Sequence, residues 1–149
     1  MAVFQDPSGA FISAWQTTRM GGFQTDGPSA YSWAELNARG VDRVLPFYQQ
    51  VFGWTTRRSE IAGAPDYVEF RVDGESVAGA WEMNPAVPPD VPSYWLVYFG
   101  VDDVDAAFRT AVELGAREVA PPADFPGGRF AIVTDPQGAS FGLLKTQPR

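Results

Sequence analysis

Two glutamates, Glu35 and Glu69, are candidates for acid–base chemistry in this 149-residue chain. Each lies in a strand-like run and alternates with apolar residues, so its carboxylate would project from one face of a sheet. A carboxylate that is partly buried has a raised pKa and can act as a general base. The alternative is structural, because either glutamate could pair across the sheet with Arg71 or Arg129. The pattern leaves both interpretations open.

The chain contains no histidine and no cysteine. Histidine is the commonest general base and transition-metal ligand, and cysteine supplies thiolate nucleophiles, zinc ligands and disulfides. Ser-His-Asp catalysis and sites built from His or Cys ligands are therefore excluded within this chain. Eighteen acidic against eleven basic residues give a net charge of −7, which would repel a phosphate backbone. We expect no nucleic-acid partner.

The composition is that of an ordinary folded domain. Hydrophobic residues make up 45% of the chain and charged residues 19%, which excludes an intrinsically disordered chain. The sequence has no apolar run near the roughly 20 residues that a transmembrane helix needs, so we expect no membrane partner. The first residues lack the basic and apolar regions of a signal peptide, and we expect a cytoplasmic protein.

The elements that would carry the two glutamates occur twice along the chain. Residues 44–52 and 104–112 each place apolar side chains at helical spacing, and a glycine follows each run. One strand-like run precedes each helix and three follow it. This order predicts an α+β fold made of two βαβββ modules, at 31–83 and 94–146. Four prolines in 84–93 predict a linker between the modules.

An Asp-Pro-x-Gly string occurs at residues 6–9 and again at 135–138, and each copy predicts a hairpin turn. Residues 1–16 are interpreted as an extra N-terminal β-hairpin, left over from the end of a preceding module in a longer tandem protein; the alternative is an added edge hairpin. Residues 17–30 are interpreted as a linker. We expect the hairpin to pack on a sheet edge and the chain to form a homodimer, in which that edge could be the partner's.

Four strings carry a family resemblance over most of the chain. They are Trp-Ala-Glu-Leu at 33–36, Pro-Phe-Tyr-Gln-Gln-Val-Phe-Gly-Trp at 46–54, Val-Asp-Asp-Val-Asp-Ala-Ala at 101–107, and Asp-Pro-Gln-Gly-Ala at 135–139. In paired βαβββ modules these strings resemble the vicinal oxygen chelate superfamily, which includes glyoxalase I, bleomycin-resistance proteins and extradiol dioxygenases. The tandem glyoxalase-like proteins, often labelled hydroxylases, are the most similar subgroup. The resemblance implies a cup-shaped sheet.

Superfamily members that bind a metal carry its ligands, usually His, Gln or Glu, on the first and last strands of each module. The resemblance places those four positions near Trp33, Gly79, Leu96 and Gly142. Their side chains cannot coordinate a divalent cation. We therefore expect a member of the superfamily with no metal and no cofactor.

Strand alternation predicts which side chains face into the cup. In the second module it selects Arg129, Ala131 and Val133 on one strand, and Gly142 and Leu144 on the last. A cup of aromatic rings with a few polar groups suits a flat organic ligand. The predicted ligand-binding residues are Trp33, Glu35, Asn37, Tyr67, Glu69, Arg71, Trp81, Tyr94, Tyr98 and Arg129.

These residues support two functional hypotheses. The first is a metal-free protein of the bleomycin-resistance type that binds a small, aromatic organic molecule. The second is an enzyme of the same superfamily, a lyase, isomerase, cyclase or hydroxylase-like protein, in which Glu35 or Glu69 acts as general base on an enolisable substrate. A structural alternative remains for the aromatic side chains, because Trp33 and Trp81 could fill the cup as core residues.

Overall fold

The computed structural model describes residues 1–18, 21–22, 24–25, 27–59 and 66–147. Parts of the expected 17–30 linker (residues 19, 20, 23 and 26), of the first module (60–65) and of the C-terminus (148–149) lie outside the described residues. The α+β class and the repeated βαβββ order are confirmed. The elements are β1 (Ala2–Gln5), β2 (Phe11–Ala14), β3 (Tyr31–Ala38), α1 (Val41–Phe52), β4 (Thr55–Arg58), β5 (Val68–Val72), β6 (Glu75–Glu82), β7 (Tyr94–Gly100), α2 (Val104–Glu113), β8 (Arg117–Phe125), β9 (Gly128–Thr134) and β10 (Ser140–Thr146).

The chain forms two compact units. Unit 1 comprises Met1–Gly22 and Ala34–Trp95, and unit 2 comprises Phe23–Trp33 and Leu96–Arg149. Neither helix, α1 or α2, is long and apolar enough to cross a membrane, and no other helix occurs in the described part of the chain.

In unit 1 the strands run in the order β4-β5-β6-β3, with β3 parallel to β6 and the other pairs antiparallel. Helix α1 packs on one face of these strands because its apolar residues recur at helical spacing. Tyr48 on the helix and Phe70 on β5 are fully buried at this contact. Helix α1 ends at Gly53, whose φ of 68° is left-handed and suits glycine.

The N-terminal hairpin forms as expected, but it packs elsewhere than on a sheet edge. Strands β1 and β2 pair only with each other, and the hairpin lies against α1. The Phe4 ring is 6.1 Å from the rings of both Phe47 and Phe52. Within this chain the expected packing on a sheet edge was wrong, because Phe4 and Ile12 share a hairpin face that packs on the aromatic rings of α1. Packing on a partner's sheet edge stays a prediction. The homodimer stays a prediction.

A buried hydrogen-bond chain joins the hairpin to the rest of unit 1. The Tyr48 hydroxyl donates to the Asp6 carboxylate at 2.6 Å, and the Trp95 indole N–H donates to the Tyr48 oxygen at 2.9 Å. The other Asp6 oxygen accepts hydrogen bonds from the backbone N–H groups of Ser8 and Ala10. Asp6 is only 4% exposed, so the hairpin turn also attaches the hairpin to α1 through a buried hydrogen bond, which we call the buried anchor.

In unit 2 the strands run in the order β7-β10-β9-β8, with β7 parallel to β10. Helix α2 begins after Asp103, whose side chain accepts the Ala106 N–H. Its apolar residues pack on Ala131 and Leu143. The Asp135 turn repeats the hydrogen bonds of the Asp6 turn to the residues two and four positions later.

Candidate functional site

The face of unit 1 opposite α1 carries several of the predicted ligand-binding residues. On β3, Leu36 and Ala38 are buried toward the helix, so Glu35 and Asn37 project from the opposite face. The strand register places Gly79 of β6 directly beside Glu35 on one side and beside Glu69 on the other. The same register places Trp81 beside Asn37.

Gly79 makes room for a tyrosine on this face. A Cβ built on Gly79 would overlap the Tyr67 hydroxyl, so the phenol lies directly over the glycine backbone. The Tyr67 ring also packs against the Trp81 ring, with centroids 5.8 Å apart and planes tilted by 48°. Both aromatic residues are half-buried, so part of each ring remains open to a ligand.

Glu35 accepts a hydrogen bond from Asn37 and lies near Tyr94. The Asn37 side-chain amide donates to a Glu35 carboxylate oxygen at 3.4 Å. Tyr94, the first residue of β7, is close enough for the charge of Glu35 to act on it: partial burial, together with this charge, raises the pKa of Tyr94. We call Glu35, Asn37, Tyr67, Trp81 and Tyr94 the Glu35 face.

Glu69 has a structural role at the edge of this face. Its carboxylate accepts two hydrogen bonds from one Arg57 nitrogen, at 3.0 and 3.2 Å, and a third from the Ser76 hydroxyl at 2.5 Å. The side chain is 13% exposed. The arginine that binds Glu69 is therefore Arg57, whereas the sequence pattern suggested Arg71 or Arg129 as its partner. Arg57 lies at the cross-strand position to Glu69 on β4, in a register that the sequence alone does not give.

Arg71 lies near the turn between β5 and β6. One of its guanidinium nitrogens donates to the Gly74 carbonyl. The register breaks between Phe70 and Arg71, so the pairing of β5 with β6 shifts at this residue. Arg71 therefore contacts the hairpin turn through one nitrogen, whereas its Nε is buried without a hydrogen-bond partner.

Arg129 lies on the face opposite to the expected one, and its placement in the cup was wrong. Strand β9 pairs Phe130 with Leu144 and Ile132 with Gly142, so Phe130 and Ile132 share the face of those β10 residues. Arg129 faces α2 instead. The alternation pattern could not decide between the faces, because four apolar residues follow Arg129 without a polar one between them.

Two carboxylates hold Arg129 in that position. Its Nε and Nη2 donate to the two oxygens of Asp105 on α2, at 2.7 and 2.9 Å, and Nη1 donates to Asp124 at 2.8 Å. These hydrogen bonds and the charge of the guanidinium lower the pKa of Asp105. Arg129 therefore ties β9 to α2.

Trp33 and Tyr98 lie in an apolar cluster of unit 2. Tyr98 is 7% exposed, and a Cβ built on Gly142 would overlap its ring. Trp33 is partly buried and packs against the same cluster, and its role as a ligand-binding residue stays a prediction. The cluster comprises Leu96, Tyr98 and Leu144, with Trp33, Phe125, Phe130 and Ile132 packed against them.

The four positions at which the superfamily carries metal ligands do not fit a metal ion. Trp33 and Leu96 offer no ligand atom, and the two glycines, Gly79 and Gly142, lie beneath tyrosine side chains. Across the described ranges, no three Asp or Glu residues cluster closely enough to hold a metal. We therefore derive no chemical step through a metal.

A separate cavity of about 340 Å³ lies in unit 2. Its walls come from the segment before β3 and from the ends of β7 and β10. The Lys145 ammonium at its rim donates to the Asp102 carbonyl at 2.7 Å. Among its lining residues, strand alternation predicted Leu144 to face the cup, but none of them was predicted to bind a ligand. Its lining residues are Thr25, Gly27, Pro28, Tyr31, Ser32, Gly100, Val101, Asp102, Leu144, Lys145 and Thr146.

The chain is similar in sequence to several known proteins. The chain is 39% identical to a putative glyoxylase, CFP32, of Mycobacterium bovis, covering all of this chain and 57% of that protein. It is 37% identical to the anthracycline biosynthesis protein DnrV of Streptomyces peucetius, over 97% of this chain and 52% of that protein. The chain thus spans little more than half the length of these relatives.

The fold is also similar to that of solved structures. Methylmalonyl-CoA epimerase of Streptomyces coelicolor, in complex with 2-nitronate-propionyl-CoA, matches with a TM-score of 0.59 and 16% identity, over 82% of this chain and all of that chain. The Mycobacterium tuberculosis epimerase matches with a TM-score of 0.58 and 17% identity, over 87% and 95% of the two chains. The model of the glyoxalase/bleomycin resistance protein/dioxygenase superfamily matches residues 30–143. The chain belongs to this superfamily.

Proposed function

We propose that this chain binds a small, planar aromatic molecule on the Glu35 face, without a bound metal. The observation that carries the proposal is the half-buried Tyr67–Trp81 ring pair beside the polar groups of Glu35 and Asn37. Aromatic walls with a few convergent polar groups are typical of small-molecule sites. The relatives named as anthracycline biosynthesis proteins add support, since an anthracycline is a fused-ring aromatic compound.

The expected energetics favour such a ligand. A well-placed ring pair contributes about 0.5–1.5 kcal/mol beyond the burial of apolar area. A hydrogen bond to a charged group such as Glu35 contributes about 1.5–3 kcal/mol. Together these two terms amount to about 2–4.5 kcal/mol, so burial of the ring's apolar area has to supply the rest of the binding energy.

An enzymatic role for Glu35 is the second candidate function. Glu69, the other carboxylate considered as a general base, is held by Arg57 and Ser76. Glu35 shares its sheet face with the rings of Tyr67 and Trp81. A ligand with an acidic C–H bond near Glu35 could lose that proton to the carboxylate. Incubating a bound ligand in D₂O and following deuterium uptake by NMR distinguishes catalysis from simple binding.

The proposal is tested with a Trp81→Ala variant. We expect a ligand selected from a panel of naphthols and hydroxyanthraquinones to raise the melting temperature of the wild-type chain with increasing concentration. Loss of the Trp81 ring should weaken its binding about tenfold, which corresponds to about 1.4 kcal/mol. Isothermal titration calorimetry measures the change.

Trp15→Ala is the matched control, because Trp15 also lies in unit 1 but is 50% exposed and directly follows the hairpin that packs on α1. It should bind the ligand as the wild type does. Equal binding by the Trp81→Ala and wild-type chains would contradict the proposed site. A Tyr31→Phe variant in the unit 2 cavity then shows whether the ligand binds there.

A further inference from the structure

We infer that the cavity of unit 2 is a second ligand site, which binds a small hydroxy acid by holding its single carboxylate on the Lys145 ammonium. This inference goes beyond the proposed function, because the cavity shares no residue with the Glu35 face. The observations behind it are a cavity with fixed, polar walls and an ammonium group at its rim that keeps hydrogen-bond donors for a ligand.

Backbone hydrogen bonds fix the walls of this cavity. The Ser29 N–H donates to the Gly100 carbonyl at 2.7 Å, and the Gly100 N–H donates to the Ala30 carbonyl at 2.9 Å. These two bonds attach the segment before β3 to the end of β7. The Val101 N–H donates to the Leu144 carbonyl at 2.9 Å, which attaches β7 to β10. A ligand would therefore enter a preformed site and would order little of the chain on binding.

Lys145 is the only lysine in the chain, and its ammonium can donate three hydrogen bonds. One of them goes to the Asp102 carbonyl at 2.7 Å. Among the described residues, the structure gives Lys145 no other hydrogen bond and no ion pair. Two donors of a charged group thus remain, and a carboxylate is the partner that such donors bind most strongly.

The other lining residues favour hydroxyl groups on the ligand and only one carboxylate. Three of the lining residues, Thr25, Ser32 and Thr146, carry hydroxyl groups, which can both donate and accept. Asp102 also lines the cavity, and its negative charge would repel a second carboxylate on the ligand. The volume of about 340 Å³ is at the small end for ligand sites, so a compact acid fits better than a fused-ring compound.

Three six-carbon probes test the inference on the whole chain at pH 8: sorbitol, gluconate and glucarate, which carry none, one and two carboxylates. Acetic anhydride acetylates Lys145 and the N-terminal amine, and mass spectrometry after digestion gives both rates. A carboxylate bound to Lys145 stabilises the protonated ammonium, which does not react. At ionic strength matched with sodium chloride, we expect millimolar gluconate to slow acetylation of Lys145 by about threefold or more. Sorbitol and glucarate should protect Lys145 less, and the N-terminal amine should react equally with all three.

Variants of Lys145, an exposed residue, test binding itself. Gluconate should raise the melting temperature of the wild-type chain with increasing concentration. Lys145→Gln should lose this rise, whereas Lys145→Arg keeps the positive charge and should retain part of it. Arg117→Gln also removes one positive charge from unit 2, at an exposed residue outside the cavity, and should respond to gluconate as the wild type does.

Equal protection of Lys145 by the three probes, strongest protection by glucarate, or equal slowing of both amines overturns the inference. An unchanged response of Lys145→Gln to gluconate also overturns it. Should that variant not fold, the acetylation rates of the wild-type chain still decide. None of these results bears on the binding of naphthols to the Glu35 face, so the proposed function stands or fails separately.

Discussion

Gly128→Ala is expected to destabilise the chain by about 3 kcal/mol or more. Gly128 begins β9 with a φ of 151°, which side chains rarely adopt. A Cβ at this position would overlap the backbone carbonyl of Lys145 on β10, and a paired strand cannot move aside as a side chain can. Chemical denaturation followed by circular dichroism measures the loss.

Gly127→Ala is the matched control at the neighbouring position. A Cβ on Gly127 meets the edge of the Phe125 ring at 2.5 Å, and that half-buried ring can rotate to relieve the contact. We expect a cost of about 1 kcal/mol or less. Equal stabilities for the two variants would show that the β9–β10 pairing does not constrain Gly128.

Asp6→Ala should be the second strongly destabilising change. It removes the hydrogen bonds within the turn and leaves the buried Tyr48 hydroxyl without its acceptor. Asp135→Ala removes the equivalent turn hydrogen bonds in unit 2, where α2 carries Phe108 at the position corresponding to Tyr48. We expect Asp6→Ala to cost about 1.5–3 kcal/mol more than Asp135→Ala.

Denaturant melts of both variants and of Tyr48→Phe measure this difference. Tyr48→Phe should lower the free energy of unfolding by most of this difference. Adding Asp6→Ala to Tyr48→Phe should cost less than Asp6→Ala costs in the wild-type chain, because both changes break the same Tyr48–Asp6 hydrogen bond. Additive losses, or equal costs for the two aspartates, would contradict a buried anchor at Asp6.

The repeated parts of the fold could be predicted because they rest on local signals. Helical spacing of apolar residues, followed by glycine, located α1 and α2, and the Asp-Pro-x-Gly strings located two hairpin turns. The contact of the β1–β2 hairpin with α1 could not be predicted in this way. It joins Asp6 to Tyr48, 42 positions later, and local patterns do not encode which distant surface an apolar hairpin face will meet.

The candidate site was predictable where polar and apolar residues alternate strictly. On β3, polar Glu35 and Asn37 lie between buried Leu36 and Ala38, and this alternation fixes the face. On β9 the apolar residues are continuous, so the facing of Arg129 depended on a register that only the pairing with β10 reveals. The position of the Tyr67 ring over Gly79 could not be predicted from the sequence either. It depends on the direction that the Tyr67 side chain takes toward a neighbouring strand.

The Asp6–Tyr48–Trp95 hydrogen-bond chain also makes the free energy of unfolding depend on pH in alkaline solution. Burial, with the neighbouring Asp6 carboxylate, raises the pKa of Tyr48 well above its ordinary value of 10.0. The unfolded chain therefore releases the Tyr48 proton near pH 10, whereas the folded chain retains it. This contribution to stability is complete below pH 10 and declines above it, by up to about 1.4 kcal/mol for each pH unit. The hydrogen bond between Tyr48 and Asp6, which holds the N-terminal hairpin on α1, thus makes the stability of unit 1 fall in alkaline solution. Tyr48 itself is fully buried in the folded state.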